Sequence, residues 1–265
     1  MSRQAIGLFD SGLGGLTVAR AVREIMPGED IVYIADSGRC PYGPRPQEEV
    51  RRFSLQLLDR LAGEGVKLVI VACNTATAAL LAEWPTSYPF PVLGVIAPGA
   101  RAAVAATQNG RIGLLATEGT VRSGAYAQLI AELRPGTEVH AQACPKFVAA
   151  VETGLDQWAP EVVAMAREYV GPLVERGIDT LVLGCTHFPH LAGVIRQAAG
   201  PGVRLVDPAA ETAREARKLL VRAGTLAGEG EGQCRFFTTG DPAMFVRLGN
   251  VFWPGGVTNC GHIDA

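Results

Sequence analysis

Two cysteines, Cys73 and Cys185, close two apolar runs of the same design. The run Leu68 to Ala72 leads into Cys73, Asn74 and Thr75, and the run Leu181 to Gly184 leads into Cys185, Thr186 and His187. In each, the cysteine is the ninth residue counted from a turn glycine, Gly65 or Gly177. Two thiols at equivalent places in two similar stretches point to one site with a thiol on either side. A strand that hands over to a helix at each cysteine sets the thiol at a helix N-terminus, where negative charge is favoured and a lowered pKa is expected. Asn74, Thr75 and Thr186, with the backbone amides around them, suit a carboxylate, and Asp10 or Asp36 suits an ammonium. The ligand so described is a small zwitterion, an amino acid. Thiols on opposite faces of it fit removal of the α-proton from one side and delivery of a proton from the other.

Other chemistries fit less well. Two cysteines and one histidine do not complete the usual four-ligand zinc set, so no metal is expected. A disulfide between Cys73 and Cys185 stays open. Pyridoxal phosphate needs a Schiff-base lysine, and Lys67, Lys146 and Lys218 lie in no suggestive motif, so no cofactor is expected. The segment Ser11 to Gly15 lacks the spacing of phosphate-binding loops. Cys40, Cys144, Cys234 and Cys260 read as small buried hydrophobes, and His140, His190 and His262 as structural or surface residues. Asp10 also fits a plain helix cap, His187 a structural histidine, and Glu152 a solvated charge in a turn.

The elements that must position these residues alternate. Ala5 to Asp10 reads as a strand, Leu16 to Ile25 as a helix, and Ile31 to Ala35 as a second strand. A stiff Pro- and Gly-rich loop follows over 39–46, then a helix from Glu48 to Leu61. The first cysteine run is a strand, followed by a helix from Thr75 to Leu81 and a strand over Pro91 to Ile96 that Ala97, Pro98 and Gly99 end. The pattern then restarts: Arg111 to Thr120 resembles Ala5 to Gly12, with helices expected over 123–133 and 160–176 and a strand over 138–143. The repeat indicates internal duplication. Alternating strands and helices predict an α/β fold of two pseudo-symmetric, doubly wound domains with the active site in the cleft between them. Residues 1–97 plus 207–265 form the first domain in this reading and 98–206 the second, and the Gly-rich segment 227–232 is a flexible surface loop.

Composition agrees with a globular enzyme-sized chain. Of 265 residues 48% are apolar and 19% charged, and the net charge of −2 gives no reason to expect nucleic acid or an anionic membrane as partner. No secretory signal and no apolar run long enough for a membrane span is read. Six scattered cysteines without a Cys-x-x-Cys pair favour free thiols in the cytoplasm.

Four stretches, Phe9 to Val18, Pro41-Tyr42-Gly43, Ala72 to Thr77 and Gly184 to Pro189, together with Thr238 to Pro242, closely resemble the glutamate racemases of the cofactor-independent aspartate/glutamate racemase family. The resemblance runs from the N-terminus to about Val246. It implies glutamate bound between two α/β domains, Cys73 as base for D-glutamate and Cys185 as base for L-glutamate, with Asp10 and His187 assisting the respective thiols. It further implies that Asp10, Ser11, Tyr42, Gly43, Asn74, Thr75, Thr186 and His187 hold the substrate, with Pro41, Thr117, Thr120 and Glu152 as weaker candidates. The implied role is supply of D-glutamate for bacterial peptidoglycan. The family often has Glu where this chain has Ala97, and the long N-terminal extension that binds a cell-wall precursor activator in some members is not expected. Residues 247–265 match nothing in the family pattern. The motifs do not fix oligomeric state, and a homodimer stays open. Aspartate as substrate, a thiol redox or metal-binding protein, and a non-catalytic amino-acid-binding module are the competing readings.

Overall fold

The computed structural model describes residues 4–264. The chain lays down β1 (Ile6–Asp10), α1 (Leu16–Ile25), β2 (Ile31–Ala35), α2 (Gln47–Gly63), β3 (Leu68–Val71), α3 (Asn74–Leu80) and β4 (Val92–Gly94). It continues with α4 (Ile96–Ala106), β5 (Arg111–Ala116), α5 (Glu118–Ser123), α6 (Ala125–Leu133), β6 (Glu138–Ala143), α7 (Pro145–Glu152), α8 (Pro160–Glu175), β7 (Thr180–Gly184), α9 (Ala192–Ala199) and β8 (Arg204–Val206). It ends with α10 (Pro208–Arg222), β9 (Cys234–Thr238), α11 (Pro242–Phe252) and β10 (Gly261–His262).

The strands form two all-parallel sheets, one ordered β10-β9-β2-β1-β3-β4 and the other β6-β5-β7-β8. The order β2-β1-β3-β4 is therefore repeated as β6-β5-β7-β8, and the two cysteines follow equivalent strands, β3 and β7. Helices cover both faces of the first sheet, which is why β1, β2 and β3 are buried throughout and read as continuous apolar runs rather than alternating ones. One face packs on α2 through Val50, Phe53, Leu57, Leu58 and Leu61, the stripe expected from the 3.6-residue period. The other face packs on α1, which buries Leu16, Val18, Ala19 and Val22.

After β8 the chain returns along α10, which packs against both α1 and α4, and β9 joins the first sheet beside β2. Residues 247–264 complete α11 and supply β10 as the sheet's edge. Among the described residues no helix is long and apolar enough to cross a membrane.

Several local expectations are corrected. The strand expected over 91–96 stops at Gly94, and Pro98 does not break the chain but sits in the first turn of α4. Proline is tolerated there because the first amides of a helix have no intrahelical acceptor. The helix expected over 123–133 is α6 and starts at Ala125; Ser123 ends α5, and Gly124 at φ 66° separates the two, a left-handed conformation that glycine adopts without steric cost. The 3.6-residue period places Val163, Ala166, Val170 and Val174 on one face of α8, but Val162, Tyr169 and Leu173 join Ala166 and Val170 inside, while Val174 is exposed. The segment 227–232 is anchored at both ends. The Ala227 amide donates to Glu29 Oε1 at 2.7 Å and the Gly232 amide to the Pro27 carbonyl at 2.8 Å.

Candidate active site

The C-terminal ends of β1, β3, β5 and β7 meet around a cavity of about 200 Å³. Both thiols reach it, Cys73 from the first sheet and Cys185 from the second. Ser11, Pro41, Tyr42, Gly43, Asn74, Thr75, Thr117, Glu152, Thr186 and His187 line it with them. Asp10 and Thr120 do not; both are buried one layer behind. Asp10 supports Ser11 and Thr186, and the Thr120 hydroxyl lies 3.1 Å from that of Thr117.

Cys73 is the N-cap of α3, and its sulfur accepts from the Ala76 amide at 3.5 Å. That is the helix-terminus placement read from the sequence, but the expected lowering of its pKa does not follow. Burial, with the Asp10 carboxylate next in weight, pushes the thiol up to about 12, and the Ala76 amide and Ser11 offset only part of this. A seven-residue helix end does not outweigh loss of solvent around a buried charge. The thiol hydrogen points toward Ser11 Oγ at 3.8 Å, and Ser11 in turn donates to Asp10 Oδ1 at 3.3 Å. Cys73, Ser11 and Asp10 thus form a chain leading a proton away from the cavity. Burial holds the Asp10 carboxyl above its ordinary range, against the lowering effects of His187 and of donors from Gly12, Thr186 and Ser11.

On the facing side no α-helix follows Cys185 directly; a short 3₁₀ turn at Phe188–Leu191 comes first. Cys185 Sγ lies 3.6 Å from His187 Nδ1, and His187 Nε2 lies 3.3 Å from Glu152 Oε1. The latter is an ion pair without hydrogen-bond alignment, since Nε2 is buried and finds no aligned acceptor. Burial alone would lower the His187 pKa, but the neighbouring Cys185 sulfur, the Glu152 carboxylate and Asp10 reverse this and carry it to about 10. These neighbours favour the protonated imidazole. Glu152, half-buried, would rise on burial, but His187 and Cys40 hold it below its ordinary value. It closes helix α7 rather than sitting in a turn, because the apolar face carrying Phe147, Ala150 and Val151 extends the helix to its position.

Other residues shape the mouth. Asp36 faces away from the cavity, so it is not the ammonium ligand considered from the sequence: its carboxylate accepts from Arg39, Thr239 and the Tyr42 hydroxyl. The Tyr42 hydroxyl is thereby occupied, which leaves the ring and the backbone of 41–43 to face the cavity. The two sheets touch where the Gly119 amide donates to the Gly43 carbonyl at 2.9 Å and where the hydroxyls of Thr75 and Thr117 meet at 2.9 Å. Asn74 is oriented by Tyr126, whose hydroxyl donates to Asn74 Oδ1 at 2.9 Å across the cleft. Sequence reasoning missed Cys40, Pro44, Glu118 and the α7 face of Pro145, Val148 and Ala149, all of which line the cavity. Only Cys40 carried a signal, as a thiol beside Pro41-Tyr42-Gly43. Among the described residues no three His, Cys, Asp or Glu side chains converge as a metal-binding group.

The family pattern of Asp/Glu/hydantoin racemases matches residues 16–216. A glutamate racemase of Corynebacterium diphtheriae is 48% identical over 260 residues, covering 98% of this chain and 97% of that protein. Among solved structures, a glutamate racemase isoform of Bacillus anthracis superposes with TM-score 0.94 at 41% identity, covering 98% of this chain and 97% of the other. A glutamate racemase of Francisella tularensis solved with D-glutamate gives TM-score 0.91 at 31% identity, covering 100% and 98%. With a doubled parallel fold, a thiol on either side of one cavity and relatives matched nearly end to end, this chain belongs to the glutamate racemases of the Asp/Glu racemase family.

Proposed function

We propose that the chain interconverts L- and D-glutamate by cofactor-independent proton transfer at Cα, with Cys73 as base toward D-glutamate and Cys185 as base toward L-glutamate. One observation carries this reading: equivalent strands of a duplicated fold deliver one thiol each to the same cavity, and each thiol is backed by its own proton path. On one side the path is Cys73, Ser11, Asp10; on the other it is Cys185, His187, Glu152. An α-proton is weakly acidic, so the base must be strong. A buried thiol pushed up to about 12, once ionised, is a stronger base than an exposed one. In the L-to-D direction Cys185 takes the proton while the Cys73 thiol delivers its own to the opposite face, and the roles reverse in the other direction.

Ser11, Asn74, Thr75 and Thr186, with the backbone around Tyr42 and Gly43, hold the amino and carboxylate groups in this reading. Thr117 and Pro41 shape the mouth, and Thr120 supports Thr117. The domains are 98–206 and 1–97 plus 207–265, and they close over the substrate to exclude water from the thiolate and the α-carbanion. The product D-glutamate serves peptidoglycan synthesis in the cytoplasm.

The test is circular dichroism of the purified protein with D-glutamate, then L-glutamate, in deuterated water without added cofactor. Loss of ellipticity from both sides with deuterium at Cα is expected. Turnover of aspartate but not glutamate would change the substrate and keep the mechanism. No exchange with either overturns the reading in favour of a binding or redox role.

A further inference from the structure

The Glu152 carboxylate belongs to the second sheet's half of the site, yet its hydrogen-bond donor comes from the first. Cys40 Sγ lies 3.3 Å from Glu152 Oε1, the same oxygen that faces His187 Nε2 at 3.3 Å. The Cys40 thiol donates to this carboxylate with hydrogen-bond geometry, beside the charge of the His187 ring. Cys40 is itself fixed from behind: it follows Arg39, which grips Asp36, and precedes the loop whose Tyr42 hydroxyl is bonded to the same Asp36. Gly12 closes over it, with room for a Cβ only 3.3 Å from Cys40 Sγ. Cys40 and Glu152 also form the wall between the catalytic cavity and a second one of about 310 Å³, lined by Leu13, Asp241, Met244 and Leu248.

We infer that Cys40 is a positioning residue for the racemase reaction, its thiol donating across the cleft to Glu152 so that the carboxylate faces His187 and, through it, Cys185. The inference rests on the racemase reading above. His187 Nε2 approaches Glu152 without full hydrogen-bond alignment, and the Cys40 thiol gives the carboxylate a second tether. The thiol is suited to this. Burial and the adjacent Glu152 charge push its pKa well up, so it stays an S–H donor and not a competing anion. The charged and titratable groups facing this pair are His187, Cys73 and Cys185 inside the catalytic cavity, Asp10 buried behind it, and Asp241 across the second one. The tether also explains how the His187 path is assembled: it is complete only when the first sheet's loop sits against α7.

The test compares wild type, Cys40→Ala and Cys40→Ser in racemisation of both glutamate enantiomers across pH, with melting temperature as a control for folding. Cys40→Ala is expected to lower kcat about ten-fold with little change in KM, the effect of losing a hydrogen bond to a charged group. Because the Cys40 bond holds Glu152 low, the acid limb of the kcat profile should move to higher pH in Cys40→Ala. Cys40→Ser, which keeps a donor, should restore both. A Cys40→Ala enzyme with unchanged kcat and acid limb overturns the inference. So does a Cys40→Ser enzyme as impaired as Cys40→Ala, which would assign Cys40 to packing. Wild type inactive on glutamate would instead sink the racemase reading, and the inference with it.

Discussion

Thr186, beside the thiol of the second sheet, donates its hydroxyl to Asp10 Oδ2 of the first sheet at 3.2 Å. Asp10 Oδ1 meanwhile accepts from the Gly12 amide at 2.9 Å and from the Ser11 hydroxyl that leads to Cys73. One buried carboxylate thus touches the surroundings of both thiols. Its burial is unfavourable for the fold, since it holds the carboxyl above its ordinary value of 3.8. A carboxyl raised in the folded state contributes stability that is fully present below its ordinary value of 3.8 and is lost as pH rises from there through the folded value. Asp10→Asn should therefore be more stable than wild type at neutral pH, by about 0.5–2 kcal/mol, while racemising far more slowly. Denaturant melts at pH 7 with parallel rate measurements check this; an Asn variant that is both less stable and fully active contradicts it.

His187 gives the opposite dependence. Its pKa is raised from 6.5 to about 10, so the protonated ring favours the folded state. That contribution is fully present below about 6.5 and is lost as pH rises toward about 10. The unfolding free energy of wild type relative to His187→Gln should accordingly be largest at mildly acidic pH and shrink steadily across this window. Chemical denaturation at several pH values measures it, and a pH-independent difference would show that folding leaves the pKa of the ring unchanged.

Much of this site was legible before any coordinates. The matched lead-ins to Cys73 and Cys185 placed the thiols on equivalent strands, because parallel strands buried on both faces leave continuous apolar runs that are easy to align. Cys40 was passed over because its meaning depends on a residue 112 positions away in the chain. The thiol of Cys73 was expected to be acidic because its helix terminus is a local feature, whereas the burial that wins is a property of the closed cleft. Asp36 looked like an ammonium ligand from its place after β2, but the neighbouring Arg39 and Tyr42 turn it outward. Pattern reading recovers what one element decides. It misses what two packed elements decide together.

Gly14 supplies a steric test of the same arrangement. A Cβ added there would lie 2.6 Å from His187 Nδ1 and closer still to Thr186 Oγ1. The backbone at Gly14 does not require a positive φ, so Gly14→Ala can fold, with overpacking costing about 1–3 kcal/mol. The added methyl must displace the ring that faces Cys185, so a loss of kcat well beyond the change in stability is expected. Retained activity in a folded Gly14→Ala enzyme would mean that His187 tolerates displacement and does not serve Cys185 as proposed.

The far end of the first sheet holds a group that stabilises the fold without serving the chemistry. Lys67 Nζ lies 2.6 Å from Glu29 Oε2, with both side chains almost fully buried at 3% and 1% exposure. Lys67 also donates to the Thr225 carbonyl at 2.7 Å, and Glu29 accepts from the Ala227 amide. The pair therefore latches the segment after α10 to the entrance of β2 and β3, and so fixes the path by which β9 rejoins the sheet. Removing one partner leaves the other charged and buried, so Lys67→Met should cost about 3–5 kcal/mol. Replacing both, as in Glu29→Leu with Lys67→Met, removes the uncompensated charge and should recover most of that loss. The thiols sit at the opposite ends of the strands, so activity per folded molecule should be unchanged in both variants. A double-mutant cycle read by denaturant unfolding measures the coupling, and additive losses would show that the ion pair is not what holds the returning segment.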